Sequence, residues 1–490
     1  MPPLLIAYYA NYITRGGCRR DTAPPENAAF NSAMWILSSP TYCYLFYFVV
    51  REPFPIYNGI MKNTKKRASW YKLDLSANVY PTLQRKNFSS VYRISVTLKE
   101  TIQPDLLQHA VNLTLPRFPT FKTALRRGLF WRYLEPNHRP GPFVRPDIQN
   151  PCMHMNFRSD NRYLIRIYYY QKRISLEVFH SLSDGNGALY LLRTLTAVYL
   201  RLAGYDIPDG TGVLNINEDP SPEELEDAYM RYASSKTCRP RSQEKAYRVQ
   251  GTLEPLHTLN IICGVMPVDA LLKVTRKYKV SVTEYLNAVL LYALMQKQKS
   301  DGVFREKPVK LAIPVNLRNF FPSKTLRNFI SMVYPAIDPR MGDYSFEDIL
   351  TQVHHYMRYY INDKFLNGDI TTHAVTQKNP FIRVVPLFVK DFVVKRFYIR
   401  VQDCQSSAGL TNLGVITLSE ELQKHVERFD VLMGQPFSAR TNCAVISYQN
   451  TLTLNFASCI AETDVERCFF RKLVQDGIPV KIETNRNMEE

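Results

Sequence analysis

His180 follows a run of alternating apolar residues and is succeeded by Ser181-Leu182-Ser183-Asp184-Gly185-Asn186-Gly187. An imidazole titrates near neutrality, so a histidine fixed at a sheet edge can take a proton from a hydroxyl or amine and return it later in a reaction. Such proton removal turns a hydroxyl or amine into a nucleophile. The same spacing also suits a strand-end histidine bonded to backbone beside an ordinary Asp-Gly turn. Spacing alone leaves both readings open.

The elements around His180 favour a fixed position for it. Tyr163, Ile165, Ile167 and Tyr169 alternate with Leu164, Arg166, Tyr168 and Tyr170. After a polar turn at Gln171 and Lys172, Ile174, Leu176, Val178 and His180 share one face of a second strand. Residues 181–187 favour a tight loop, because Gly accepts positive φ while Asp and Ser bond nearby N–H groups. From Ala188 the period becomes helical, with Leu191, Leu192, Leu195, Tyr199 and Leu202 on one side and Gly204 as the stop.

Further on, residues 206–250 are rich in Pro, Gly, Asp and Glu and are read as a linker, with a capped helix starting near Ser221. Helical spacing is predicted for 268–278 and 281–298, and the apolar stripe of the second is read as core packing. A buried strand over 309–315 leads to Arg318. A hairpin is expected from 443–448 and 451–456 around Gln449-Asn450, followed by a helix starting near Thr463.

His180, Asp184 and Gly185 resemble the H-x-x-x-D-G motif of the chloramphenicol-acetyltransferase-like superfamily. The segment Pro314-Val315-Asn316-Leu317-Arg318, with Phe320-Phe321-Pro322 and Asn328-Phe329 after it, is similar to that superfamily's arginine-bearing segment. Thr411-Asn412-Leu413-Gly414 is similar to its S-N-L-G segment, with Thr in place of Ser. The stretches Trp70-Tyr71-Lys72-Leu73-Asp74 and Arg127-Gly128-Leu129-Phe130-Trp131 look most like the bacterial alcohol-acetyltransferase-like branch. The resemblance spans about residues 66 to 482. The plant-type D-F-G-W-G segment is absent, and Phe179 stands where condensation domains usually carry a first histidine.

The resemblance implies an α/β (α+β) fold: a two-lobe sandwich, a pseudo-dimer of mixed sheets with flanking helices and an active-site channel between the lobes. It implies an acyltransferase that moves an acetyl or other acyl group from coenzyme A to an alcohol or amine. His180 would be the general base, with no acyl-enzyme and no bound cofactor. Asp184 and Arg318 would form a structural ion pair, Gly185 and Gly187 would shape the loop, and Thr411 or Asn412 would face the oxyanion or the channel. A carrier-protein-dependent condensing enzyme and a non-catalytic binding protein on the same fold are the alternatives.

A chain of 490 residues with 45% hydrophobic content can bury a large core and divide into two lobes. The expected divisions are an extension over 1–60, an N-terminal lobe over 61–205, the linker 206–250 and a C-terminal lobe over 251–490. Residues 1–60 contain no Lys and, with four Arg against three acidic residues, little of the +18 formal charge. They are read as an extension upstream of a functional start at Met61. The uncharged apolar run over 42–50 raises a membrane anchor, against which stand Pro40 and the lack of a signal layout.

Nine cysteines are scattered without a C-x-x-C pair, which suits a reducing cytoplasm. No H-E-x-x-H or clustered Cys/His set appears, so no metal is expected. The basic residues are dispersed and carry no nucleic-acid motif, so no nucleic-acid partner is expected. Their field suits coenzyme A, to which Lys390, Lys395, Arg396 and Arg400 are candidate contributors, or a peripheral membrane contact. A monomer is the simplest expectation.

Overall fold

The computed structural model describes residues 70–84, 89–234, 244–302, 306–401, 405–434 and 439–486. The expected extension over 1–60 and the start at Met61 lie outside them. From Trp70 the chain forms β1 (Tyr71–Lys72), α1 (Leu75–Leu83), β2 (Val91–Leu98), α2 (Pro104–Thr114), β3 (Thr123–Arg127), β4 (Arg132–Pro136) and β5 (Val144–Pro146). The hairpin β6 (Ile165–Tyr170) and β7 (Arg173–Phe179) leads into α3 (Gly185–Leu202). Two short helices, α4 (Pro222–Leu225) and α5 (Ala228–Tyr232), precede β8 (Asn260–Pro267), α6 (Val268–Tyr278), α7 (Val282–Ser300) and β9 (Val309–Asn316). Next come β10 (Ile330–Val333), β11 (Ala336–Ile337), α8 (Phe346–Tyr360), α9 (Asp363–Lys378), α10 (Pro380–Val384) and α11 (Leu387–Val401). The last stretch holds β12 (Ala408–Ile416), α12 (Glu420–Gln423), β13 (Val426–Met433), β14 (Thr441–Tyr448), β15 (Thr451–Ser458), α13 (Asp464–Gln475) and β16 (Lys481–Thr484).

Two large mixed sheets carry the architecture, as the resemblance implied. The five-stranded sheet has the order β13-β2-β7-β6-β5, and the larger sheet has β10-β9-β12-β14-β15-β8-β16 with β11 pairing β9. A third sheet, β1-β4-β3, is small. Each large sheet has its own apolar core. Ile94, Val96, Leu176, Val178, Leu192 and Leu195 belong to the first, and Leu286, Val289, Leu290, Leu311, Val445 and Leu454 to the second.

Chain order and lobe membership part company at β13. It lies within the expected C-terminal lobe at 251–490, yet it pairs antiparallel with β2 from Val426 opposite Leu98 to Met433 opposite Tyr92. Thr453 Oγ1 on β15 donates to the Phe429 carbonyl on β13 at 2.9 Å, a direct bond between the two sheets. Nothing in the local pattern of 426–433 distinguishes a strand of one sheet from a strand of the other.

Local signals account for the helix ends nearest the site. Ser281 and Glu284 form a capping box before α7, and before α4 the Glu224 carboxylate accepts from Ser221 N at 3.2 Å. Helix α3 begins at Gly185, earlier than the Ala188 start read from periodicity. The cause is the Asp184 carboxylate, whose Oδ1 accepts from Gly187 N at 3.1 Å and draws Gly-Asn-Gly into the first turn.

Candidate active site

His180 stands one residue beyond β7 because its N–H donates to the Ser90 carbonyl at 2.8 Å, continuing the β2–β7 ladder to the edge. A cavity of about 340 Å³ opens there, lined by residues of both large sheets and of the α3 N-terminus. His180, Asp184, Gly185, Arg318, Thr411 and Asn412 all contribute to its wall. Gly187 sits behind that wall, where a Cβ would collide with the Leu326 carbonyl and Ser183 Oγ. At Gly185 a Cβ would come within 2.5 Å of Leu413 Cδ2, so the T-N-L-G segment presses directly on the loop.

The imidazole is held from three sides. Tyr80, on α1, stacks on it with ring centroids 4.5 Å apart and planes 12° apart, and Tyr92 meets it edge-on at 5.0 Å. Asn328 supplies the third contact. Its Nδ2 donates to the His180 carbonyl at 3.0 Å, which leaves Oδ1 facing His180 Nδ1 at 3.2 Å. An amide oxygen only accepts, so the arrangement selects the tautomer with the proton on Nδ1 and the lone pair on Nε2. Burial holds the His180 pKa below the ordinary value of 6.5, outweighing its own backbone hydrogen bond, Asp184 and Asn328, which act in the opposite direction. The neutral imidazole is therefore the form present at pH 7.

Asp184 does not touch the imidazole. Its Oδ2 accepts from Arg318 Nη1 at 2.8 Å and from Phe329 N at 2.9 Å, and its Oδ1 caps α3. Arg318 is satisfied on every side: Nε and Nη2 donate to the Thr325 carbonyl, Nη2 also to that of Arg327, and Nη1 also to Asn316 Oδ1. The pair is buried, with side-chain exposures of 9% and 4%. It ties the 181–187 loop to the segment after β9, and that segment in turn delivers Asn328 to His180. Tyr92 adds a further tie, donating to the Asp184 carbonyl at 2.8 Å.

Thr411 and Asn412 lie on β12, where the parallel register with β14 shifts between Asn412 and Val415. The Asn412 amide is engaged locally, donating to Thr283 Oγ1 at 3.0 Å and accepting from Gly414 N at 2.8 Å. Gly414, at φ +79°, supplies the positive φ that this turn requires. Of the basic residues considered for coenzyme A, Lys390, Lys395 and Arg396 do not line the cavity. Lys390 Nζ donates to the Phe130 and Arg383 carbonyls, Lys395 and Arg396 are exposed, and the Arg400 side chain is outside the described residues. Among the described residues no group of three or more His, Cys, Asp or Glu could hold a metal ion.

Sequence reasoning did not assign roles to Asn328, Tyr80 or Tyr92. Asn328 was visible only as part of a matched segment, and 148 residues separate it from His180. No period in the sequence reports a contact of that range.

Two large sheets meet at a cavity that holds a histidine and a buried Asp–Arg pair, and solved structures share the fold. F. graminearum TRI101, crystallised with coenzyme A and T-2 mycotoxin, is similar with a TM-score of 0.56 at 11% identity, over 84% of this chain and 100% of that one. The trichothecene 15-O-acetyltransferase TRI3 of Fusarium sporotrichioides is similar at 0.54 and 11%, over 85% and 96%. The epimerization domain of tyrocidine synthetase B is similar at 0.53 and 11%, over 85% and 98%. The chain thus shares the two-lobe fold of these acetyltransferase and epimerization-domain structures. Residues 256–475 match the family model of alcohol acetyltransferase. No curated protein matches the sequence.

Proposed function

We propose that this chain is a coenzyme A-dependent acyltransferase that moves an acetyl or other acyl group to an alcohol or amine acceptor, with His180 as the general base. The observation that carries the reading is the tautomer held by Asn328, which leaves the Nε2 lone pair of a neutral imidazole free beside a cavity between two sheets. The alcohol-acetyltransferase match over 256–475 supports the reaction class.

In the proposed step, Nε2 takes the proton of the acceptor O–H or N–H as the acceptor atom attacks the thioester carbonyl. Collapse of the tetrahedral adduct breaks the C–S bond, and the imidazolium returns its proton to the departing thiolate. No acyl-enzyme is required. The developing oxyanion needs a fixed donor, and Thr411 on the cavity wall is the candidate, since the Asn412 amide is engaged by Thr283 and Gly414.

Thiol release from acetyl-CoA, measured for the purified chain with a mixed alcohol and amine panel, tests the reading. Acceptor-dependent release supports it. Release from a carrier-bound pantetheinyl thioester but not from free acyl-CoA would move the function to the condensing alternative.

Asn328 is a positioning residue in this scheme. Asn328→Ala should lower kcat by about 10²-fold through misplacement of the base, with KM little changed. Asn328→Asp keeps an acceptor for Nδ1–H and adds a negative charge beside it, so it should restore part of kcat and move the acid limb of the pH profile upward. Equal loss in both variants with an unshifted limb would mean that Asn328 serves the fold alone.

A further inference from the structure

Residues 128–131 and the consecutive helices α10 and α11 place large apolar side chains in water. Leu129 is 69% exposed, Phe381 81%, Phe388 64% and Phe392 67%. The segments are joined by backbone: Leu387 N–H donates to the Leu129 carbonyl at 2.7 Å, and Lys390 Nζ to that of Phe130 at 2.7 Å. Helix α11 has a clear inner side. Leu387 is buried, and the Asp391 carboxylate pairs with Arg132 at 2.6 Å and accepts from Thr82. Helical periodicity puts Phe388, Phe392, Lys395 and Arg396 elsewhere on the helix, and all four are exposed.

Charge narrows what covers this surface. From Lys378 to Arg396 the chain carries Lys378, Arg383, Lys390, Lys395 and Arg396 against the single acid Asp391, which Arg132 already neutralises. A second copy would bring the same cationic surface against its own image, on a chain of formal charge +18. An anionic lipid surface offers what the patch lacks: an apolar layer for the rings and negative headgroups for the flanking Lys and Arg. Among the described residues no helix is long and apolar enough to cross a membrane, so the contact would lie in the plane of the interface.

We infer that residues 128–131 with α10 and α11 form a peripheral docking surface for an anionic lipid bilayer. The inference stands independently of the acyl-transfer reading.

The test is co-sedimentation of the full chain with vesicles of phosphatidylcholine plus phosphatidylserine, and with phosphatidylcholine alone. Two variants are compared, Phe381→Ser/Phe388→Ser/Phe392→Ser and Lys395→Glu/Arg396→Glu. The wild-type chain should pellet with the anionic vesicles and be released by salt. Each variant should partition less by on the order of 10-fold. Melting temperatures should be unchanged, because the altered side chains are exposed. Failure of the wild type to pellet at low salt, or equal partition of all three proteins, would overturn the inference. So would a concentration-dependent dimer of the wild type that the triple variant abolishes, since that assigns the patch to a second copy.

Discussion

His180→Ala should abolish most acceptor-dependent thiol release, lowering turnover by about 10²–10⁴-fold, the usual contribution of a positioned general base. The fold should survive, because the loop is held by Asp184, Arg318 and Ser183 rather than by the imidazole. The pH profile of the wild type provides a second readout. The imidazolium has no lone pair to accept a proton, so activity is lost as pH falls through the His180 pKa. Burial lowers that pKa, so the acid limb of kcat/KM should lie below pH 6.5 and be absent from what activity the variant retains. The groups facing the ring do not reverse this sign. Tyr80 and Tyr92 are phenols, the Tyr92 pKa is raised by burial, and Asp184 is turned toward Arg318. A limb above pH 6.5 would show that a different group carries the proton.

Asp184→Asn should cost activity and stability together. The substitution keeps a side chain able to cap α3 but removes the charge opposite Arg318, leaving a buried guanidinium without its counter-ion. Breaking one member of such a pair costs about 3–5 kcal/mol. Arg318 would then be left with the Thr325 and Arg327 carbonyls and the Asn316 amide oxygen, and the segment bearing Asn328 would lose its register with His180. The expected result is a lower melting temperature with a parallel loss of kcat. Loss of activity with an unchanged melting curve would instead assign Asp184 a role in orienting the base. A compensating double variant, Asp184→Leu with Arg318→Met, should recover stability more than either single change, since a packed apolar pair can replace a buried ionic one.

Local patterns were enough to expose the elements that hold the base. Alternation around Gln171 defines β6 and β7, the change of period after Gly187 defines α3, and helical spacing over 268–278 and 281–298 marks α6 and α7. These features are set by neighbours in sequence, so a sequence can display them. The two-lobe fold followed from motif resemblance rather than from periodicity. What remained hidden is set by distant partners. The choice of sheet for 426–433 depends on β2, the stacking of Tyr80 depends on where α1 docks, and the tautomer of His180 depends on Asn328. The start of α3 was misplaced for a local reason: Gly185-Asn186-Gly187 has the composition of a turn, and the Asp184 cap draws it into the helix.

The crossing of β13 has a consequence for biosynthesis. Strand β2 appears early in translation, but the strand that covers its edge, Val426–Met433, is made more than three hundred residues later. Until then the nascent N-terminal half carries an open strand edge able to pair with other chains. The ribosome thus delivers the histidine loop long before the wall that encloses it, and a chain truncated ahead of β13 should be an aggregation-prone fragment rather than a smaller enzyme.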